Sequence, residues 1–314
     1  MWRILAALAF CCSAHAQDYP ARPVHLVVPY TPGTGADILA RLIGMKLQER
    51  WKTPVITDNR PGATGNIGAE LVAKSPPDGY AVLFAATSFA VNPALTRTPY
   101  DPEKSFAPVA LVATSSLAVL VNPDVPARDM RSFVALAKAS PGRLHYGSPG
   151  SGGVQHLAME LIKLETGIDV VHVPYKGLGG ALSDTIAGHV QATVAALQSA
   201  APHVQSGKLR MLAVLSATRA AAFPDVPTLK EQGLADLEID TWYAAFAPAG
   251  TPAAVVHKLN AGINDALSDP SIKASLEKQG MIPAGGDAAR LEQLLKKELA
   301  RWARVVNASG IKAD

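Results

Sequence analysis

Short runs of branched apolar residues alternate with stretches of helical spacing along most of this chain. That alternation constrains the fold more than any other feature. Residues 24–28 read as a strand before a helix over 36–50, residues 55–57 as a strand before 67–74, and residues 81–86 as a strand before a polar connection. This order is the βαβ rhythm of a parallel sheet covered by helices on both faces. Pro76-Pro77-Asp78-Gly79 marks the turn before the third strand. Two adjacent apolar segments, 109–113 and 117–121, then read as a crossover leading past Pro123 and Pro126 into a helix over 130–139.

The rhythm restarts with strands at 144–146, 170–173, 190–197 and 209–215, and helices at 154–165, 180–187 and 200–205. A second α/β unit is the economical reading. At 314 residues and 48% hydrophobic content, the chain is long enough for about two domains. After PDVPTLKEQG, the strand-like IDTWYAAFAP leads into helical patterns at 252–267, 271–278 and 288–306. These helices have no second-unit strands left to cover, so they are expected to pack back on the first unit. The chain then crosses twice between two lobes, with a cleft at the carboxyl ends of both sheets.

The N-terminus carries Arg3, an apolar stretch over 4–12 and Ala14-His15-Ala16, the pattern of a secretory signal spanning 1–16 and cleaved after Ala16. A buried helix is the alternative; the segment is too short to span a bilayer. Both cysteines, Cys11 and Cys12, lie in this signal, so thiol catalysis is excluded from the mature chain. A lipid-anchored Cys11 or Cys12 is disfavoured by bulky Phe10 immediately before Cys11. A formal charge of +3, dispersed along the chain, argues against nucleic acid as a partner.

Small-residue loops between strand and helix recur three times, in PYTPGTGAD, YGSPGSGGVQH and VPYKGLGG. The first-turn amides of a helix lack intrahelical partners and form a site for an anion. The candidate ligand contacts are Tyr30, Thr31, Gly33, Thr34, Gly35 and Asp37 in the first loop, and Thr87, Ser88 and Asn92 after the third strand. Ser148, Ser151, Gly152, Gly153 and His156 supply the second loop, and Tyr175, Lys176, Gly177 and Gly179 the third. Asp37 reads equally well as a helix cap, Lys176 as a solvated cation, and Trp242 and Tyr243 as core. A β-branched residue at Gly33 is expected to abolish binding without unfolding the chain.

Enzyme signatures are not found. Gly33-Thr34-Gly35 lacks the third glycine of a dinucleotide fingerprint, Lys176 follows no Walker loop, and neither Ser148 nor Ser151 has the flanking glycines of a nucleophile elbow. His156 and Glu160 stand one helical turn apart but have no further metal ligands nearby in sequence. No cofactor and no metal are expected. The rival reading is a secreted α/β enzyme using Lys176, His156 and Asp37 as acid-base groups on a small carboxylate.

PYTPGTGAD, DNRPGATGNIGAE, SPPDGY, NPAL, YDPEKSFAPV, VHVPYKG, GKLRMLAV, PDVPTLKEQG and TWYAAFAPAGTP, in this order after a signal, resemble the Bug family. Its members are extracytoplasmic solute receptors of tripartite tricarboxylate transporters. The resemblance covers essentially the whole mature chain. It implies an α/β type II periplasmic binding fold, with one lobe of 18–121 plus 243–314 and another of 122–242, joined by two crossovers. It also implies a monomeric periplasmic protein that closes on a small carboxylate and delivers it to permease subunits or, in some members, a sensor kinase. By the same resemblance, the loops at 32–37 and 148–156 grip one carboxylate through amides, hydroxyls and ordered water. Two departures stand out. Thr34 replaces a second glycine, and Ala195-Ala196 replace a common Asp-Asn pair, which turns expectation from amino acids such as aspartate toward apolar or aromatic carboxylates.

Overall fold

A computed structural model describes residues 19–234 and 237–309. The signal, its cleavage position and both cysteines lie outside the described residues. The first unit begins β1 (Val24–Val28), α1 (Gly35–Trp51), β2 (Val55–Asn59), α2 (Asn66–Ala73), β3 (Ala81–Ala86) and α3 (Ser88–Leu95). After β4 (Phe106–Val121) and α4 (Met130–Ala139) come β5 (His145–Ser148), α5 (Val154–Thr166), β6 (Val171–Pro174) and α6 (Leu178–Ile186). The order then runs β7 (Ala192–Ala196), α7 (Leu197–Gln205), β8 (Arg210–Val214) and β9 (Asp240–Pro248). It ends with α8 (Ala253–Ser268), α9 (Pro270–Lys278), β10 (Met281–Pro283) and α10 (Ala288–Ser309).

The sheet is mixed. One half pairs β2, β1 and β3 in parallel, then adds β9 and β4 antiparallel. The other half pairs β6, β5 and β7 in parallel, and β7 meets β4 antiparallel. β4 belongs to both. Its residues from Phe106 to Ser116 pair with β9, whereas Leu117 to Val121 pair with β7. The two apolar segments read separately in the sequence are thus one strand of 16 residues. Thr114-Ser115-Ser116, which divided them by composition, stays in the ladder because Ser115 Oγ donates to Gly280 O (3.0 Å) and Ser116 Oγ to Asp240 Oδ1 (2.9 Å).

Alternation along β1 divides the core of the first half. Val24, Leu26 and Val28 join Leu39, Ile43 and Leu47 of α1 and Leu259 and Ile263 of α8 on one face, and Val27 joins the opposite cluster with Val72 of α2 and Phe89 of α3. The late helices do return to this half: α8 packs on α1 and β4, and α10 on α3 and β4.

The polar connection expected after β3 is instead α3. Its sequence, SFAVNPAL, is short and carries Pro93, so intrinsic propensity gives a weak signal. Tertiary packing decides the matter: Phe89 stacks on Tyr100 at 5.6 Å and meets Phe106 edge-on at 5.1 Å. β10, a strand of 3 residues on β4, was likewise not expected.

Candidate functional site

Four helices begin at one partly open cavity of about 670 Å³ between the two halves of the sheet. They are α1, α5, α6 and α7, with N-caps Thr34, Gly153, Gly177 and Ala196, none of which makes a side-chain capping bond. The shorter α2 and α3 also start at its wall, through Gly65 and Ser88, again without a side-chain cap. Elsewhere, α4 and α9 are capped, Asp129 accepting from Ser132 N and Asp269 from Ser271 N, whereas α8, with Pro252 at its N-cap, is not. The starts around the cavity thus leave their first-turn amides without a side-chain acceptor at the N-cap. Lys176 is the single charged side chain in the lining, and no Asp or Glu is among the lining residues. A cavity of this kind favours an anion and opposes a cation.

Of the residues singled out in the sequence, Tyr30, Thr31, Thr34, Gly35, Ser88, Ser151, Tyr175, Lys176 and Gly177 line the cavity. Several have side-chain partners already. Thr34 Oγ1 donates to Thr31 O (2.9 Å), Tyr30 OH pairs with Ser88 Oγ (2.8 Å) and accepts from Ala86 N, and Tyr175 OH donates to Asp184 Oδ2 (2.6 Å). The Thr34 hydroxyl thus closes its own loop, and Tyr175 offers mainly its ring.

The remaining candidates stand behind the wall. Gly33 donates its amide to Asp37 Oδ2 (2.9 Å), and Asp37 also accepts from Arg41 Nε (2.9 Å) and Asn59 Nδ2 (3.0 Å). Burial raises the Asp37 pKa, but the bonds from Arg41, Gly33 and Asn59, with the Arg41 charge, outweigh it and hold the carboxyl below its usual range. A Cβ on Gly33 would meet nothing within 4 Å, so the cost of a β-branched residue there is its left-handed φ of 81° and not a blocked cavity. Thr87 is spent on Thr241 Oγ1 and Trp242 N, and Asn92 on Thr64 O and Asn66 Oδ1. Gly179 lies in the first turn of α6, outside the lining.

In the second loop, Ser148 Oγ meets Gly150 O and His172 Nε2, and Gly152 N donates to His156 Nδ1 (3.0 Å). Asp37 and His156 play matching parts. Each is the third residue of its helix and turns back to accept the amide just before the N-cap, that of Gly33 in one half and Gly152 in the other. His156 stacks on His172 at 4.0 Å, and its Nε2 stands 4.0 Å from Glu160 Oε1. Replacing His156 with alanine is expected to loosen this loop and weaken solute binding about ten-fold, whereas asparagine, which keeps an acceptor, recovers part of the loss; titration calorimetry on both variants checks this.

Sequence reasoning missed several wall residues. Pro61 to Gly65, within DNRPGATGNIG, is a further small-residue loop between strand and helix, so its signal was present. Gln198 and Ser199 follow Ala195-Ala196 at the end of β7, and of that alanine pair only Ala196 reaches the cavity. Tyr243, expected in the core, is 4% exposed yet lines the wall, and burial keeps its phenol well above the ordinary range and protonated. The two halves touch around the cavity. Thr64 Oγ1 donates to Ser151 O (3.2 Å), Ser199 Oγ to Gly33 O (3.3 Å), and Gln198 Nε2 to Tyr243 OH.

Residues 39–311 match the tripartite tricarboxylate transporter family receptor. The chain belongs to this family. Like its relatives, the receptor is a two-lobed α/β solute-binding protein. It is 34% identical to Protein BugT of Bordetella pertussis over 98% of this chain and 95% of that one. A Rhodopseudomonas palustris protein solved with adipate is 35% identical and superposes with a TM-score of 0.91 over 94% of this chain and 99% of its own. MatC of the same organism, solved with bound malate, is 30% identical with a TM-score of 0.87 over 92% and 100%.

Proposed function

We propose that this receptor captures a small carboxylate in the periplasm and hands it, unaltered, to the permease subunits of a tripartite tricarboxylate transporter. The observation that carries this reading is the convergence of uncapped helix starts on a cavity whose lining holds no acidic side chain. In such a cavity, amide donors replace carboxylate hydration, and each charge-assisted bond contributes about 1.5–3 kcal/mol. Adipate and malate in the two related structures are small carboxylates, which supports the same ligand class here. Ala196 in the wall and the missing acids leave nothing to pair with a ligand ammonium, so amino acids are disfavoured.

The working parts of this proposal are a lobe of 18–121 plus 243–314 and a lobe of 122–242, closing as a monomer. A leader cleaved after Ala16 directs export, and no helix among the described residues is long and apolar enough to cross a membrane. Thr31, Thr34, Gly35, Ser151 and Gly177 contact the solute, while Gly33, Asp37, Ser148, Gly152 and His156 hold the loops. Closure around the solute stabilises the form that the permease recognises.

Thermal-shift screening followed by calorimetry against mono-, di- and tricarboxylates, aliphatic and aromatic, tests the reading. One-to-one binding of at least one such acid, recovered chemically intact, is expected. A protein that binds none of them, or that converts the acid, overturns it.

A further inference from the structure

One loop of the cavity wall sets side chains where its backbone favours none. From Gly62 to Gly65, four successive residues have positive φ, at 135°, 45°, 53° and 99°. Gly62 and Gly65 adopt such angles freely, but Ala63 and Thr64 do not. Thr64, with ψ at 32°, stands in the left-handed region, where a β-branched side chain is an outlier. The other non-glycine residue with positive φ among the described residues is Lys52, where it ends α1 as a left-handed C-cap.

Buried bonds from the same half hold this strained turn in place. Asn92, 4% exposed, donates from Nδ2 to Thr64 O (3.1 Å) and to Asn66 Oδ1 (2.7 Å), and Tyr100 OH donates to Asn66 Oδ1 (2.7 Å). Gly65 N donates back to Gly62 O (3.0 Å). All these partners belong to the first half, so the loop keeps its shape whether or not the second half lies against it. What the conformation achieves lies across the cavity. Thr64 Oγ1 donates to Ser151 O (3.2 Å), a carbonyl that can only accept. A Cβ on Gly150 would stand 3.4 Å from Thr64 Oγ1, and one on Gly153 3.4 Å from Thr64 Cγ2, so hydroxyl and methyl both rest in the turn that leads into α5. Glycine at this position would relax the backbone and reach nothing.

We infer that Thr64 is a closing latch: its hydroxyl, held out by a strained backbone, fastens the Ser151 loop of the second half to the first and stabilises the closed form. Thr64 is in this sense a positioning residue, acting through closure whichever solute is held. The inference rests on the two-lobed fold and not on the carboxylate reading. Strain that persists because its surroundings enforce it is found where function requires it. Stability and affinity are therefore opposed at this one position, since whatever the latch adds to the closed form is added to solute binding.

The test compares Thr64→Gly, Thr64→Val and Thr64→Ser with wild type by three measurements. These are thermal unfolding without solute, titration calorimetry with succinate, malate, adipate and benzoate as probes, and pulsed electron paramagnetic resonance without solute between spin labels at Met45→Cys and Leu164→Cys. Both labelled positions are exposed, one on α1 and one on α5. Thr64→Gly is expected to unfold about 2 °C above wild type, because the relief exceeds the chain entropy that glycine adds, yet to bind about five-fold more weakly. Thr64→Val, which keeps the strain and loses the hydroxyl, binds as weakly with no gain in unfolding temperature, and Thr64→Ser stays within about two-fold of wild-type affinity. In Thr64→Gly and Thr64→Val the label population at the separation shown by this structure shrinks, which loss of a mere solute contact would not cause. Wild-type affinity in Thr64→Gly, an unfolding temperature no higher than wild type in that variant, or Thr64→Ser as weak as Thr64→Val each overturn the latch and leave the carboxylate reading standing. If none of the four acids binds, the label distances decide the latch by themselves, and identical populations in wild type and Thr64→Val overturn it.

Discussion

Gly35→Val is expected to reduce carboxylate affinity on the order of 100-fold while leaving a folded protein. The first residue of α1 has no side chain to spare. A Cβ there would collide with Gln198 Nε2 from one half and lie 2.5 Å from Tyr243 Cζ and OH in the other. Both side chains would have to shift, and the hydrogen bond between them, which ties the halves together, would break. With the halves apart, Gln198 withdraws, whereas the Tyr243 ring, in the same half as Gly35, must still shift, so part of the penalty falls on the first half itself and the remainder on the closed form and hence on binding. Calorimetry gives the affinity, and thermal unfolding without solute checks that the fold survives. Wild-type affinity in Gly35→Val would remove this helix start from the binding site. Gly177→Ala is the counterpart from the other half, since its Cβ would stand 2.5 Å from Thr31 Cγ2.

Asp37→Ala is expected to cost about 1–3 kcal/mol of stability, because it leaves the Gly33 amide without its acceptor, takes from Asn59 Nδ2 one of its two acceptors, and removes the ion-pair partner of the half-exposed Arg41. The first loop should loosen at the same time and solute affinity fall. The acid dependence has a definite sign. The folded-state pKa of Asp37 lies below its unfolded value, so its stabilisation is fully present above the ordinary carboxylate range and is lost as pH falls through the depressed value. The stability gap between wild type and Asp37→Asn should therefore narrow from about pH 5 to about pH 3. Urea unfolding at a series of pH values measures it. A gap that widens on acidification would show that the Asp37 carboxylate is not held ionised by these partners.

The fold was legible where burial imposes a pattern. β1, β3 and α4 lie where the apolar pattern places them: the two strands are buried on both faces and read as continuous apolar runs, and α4 buries one helical face. α3 was not legible, because its helicity depends on aromatic neighbours from Tyr100, Phe106 and Phe246 that lie beyond any local window. The site divided in the same manner. Strand-to-helix loops announce themselves through glycine and small hydroxyl residues, so the positions of Thr34, Gly35, Ser151 and Gly177 in the cavity wall were legible. Which face of such a loop meets the cavity depends on hydrogen bonds made out of sight of the sequence, so Gly33, Asp37, Ser148 and His156 lie outside the lining although the sequence groups them with it. Gln198 and Tyr243 lie 45 residues apart and become neighbours only when the halves meet.

β4 gives this receptor a continuous joint. A single strand threaded through both halves keeps its ladder on either side of Ser115 and Ser116, so the halves cannot swing freely as they would about a slack tether. Opening must instead be taken up as torsion spread along a pleated ribbon, whose preferred twist resists excess in either direction. Such a joint behaves as a torsion spring, and its stiffness sets how far the mouth gapes before a solute arrives.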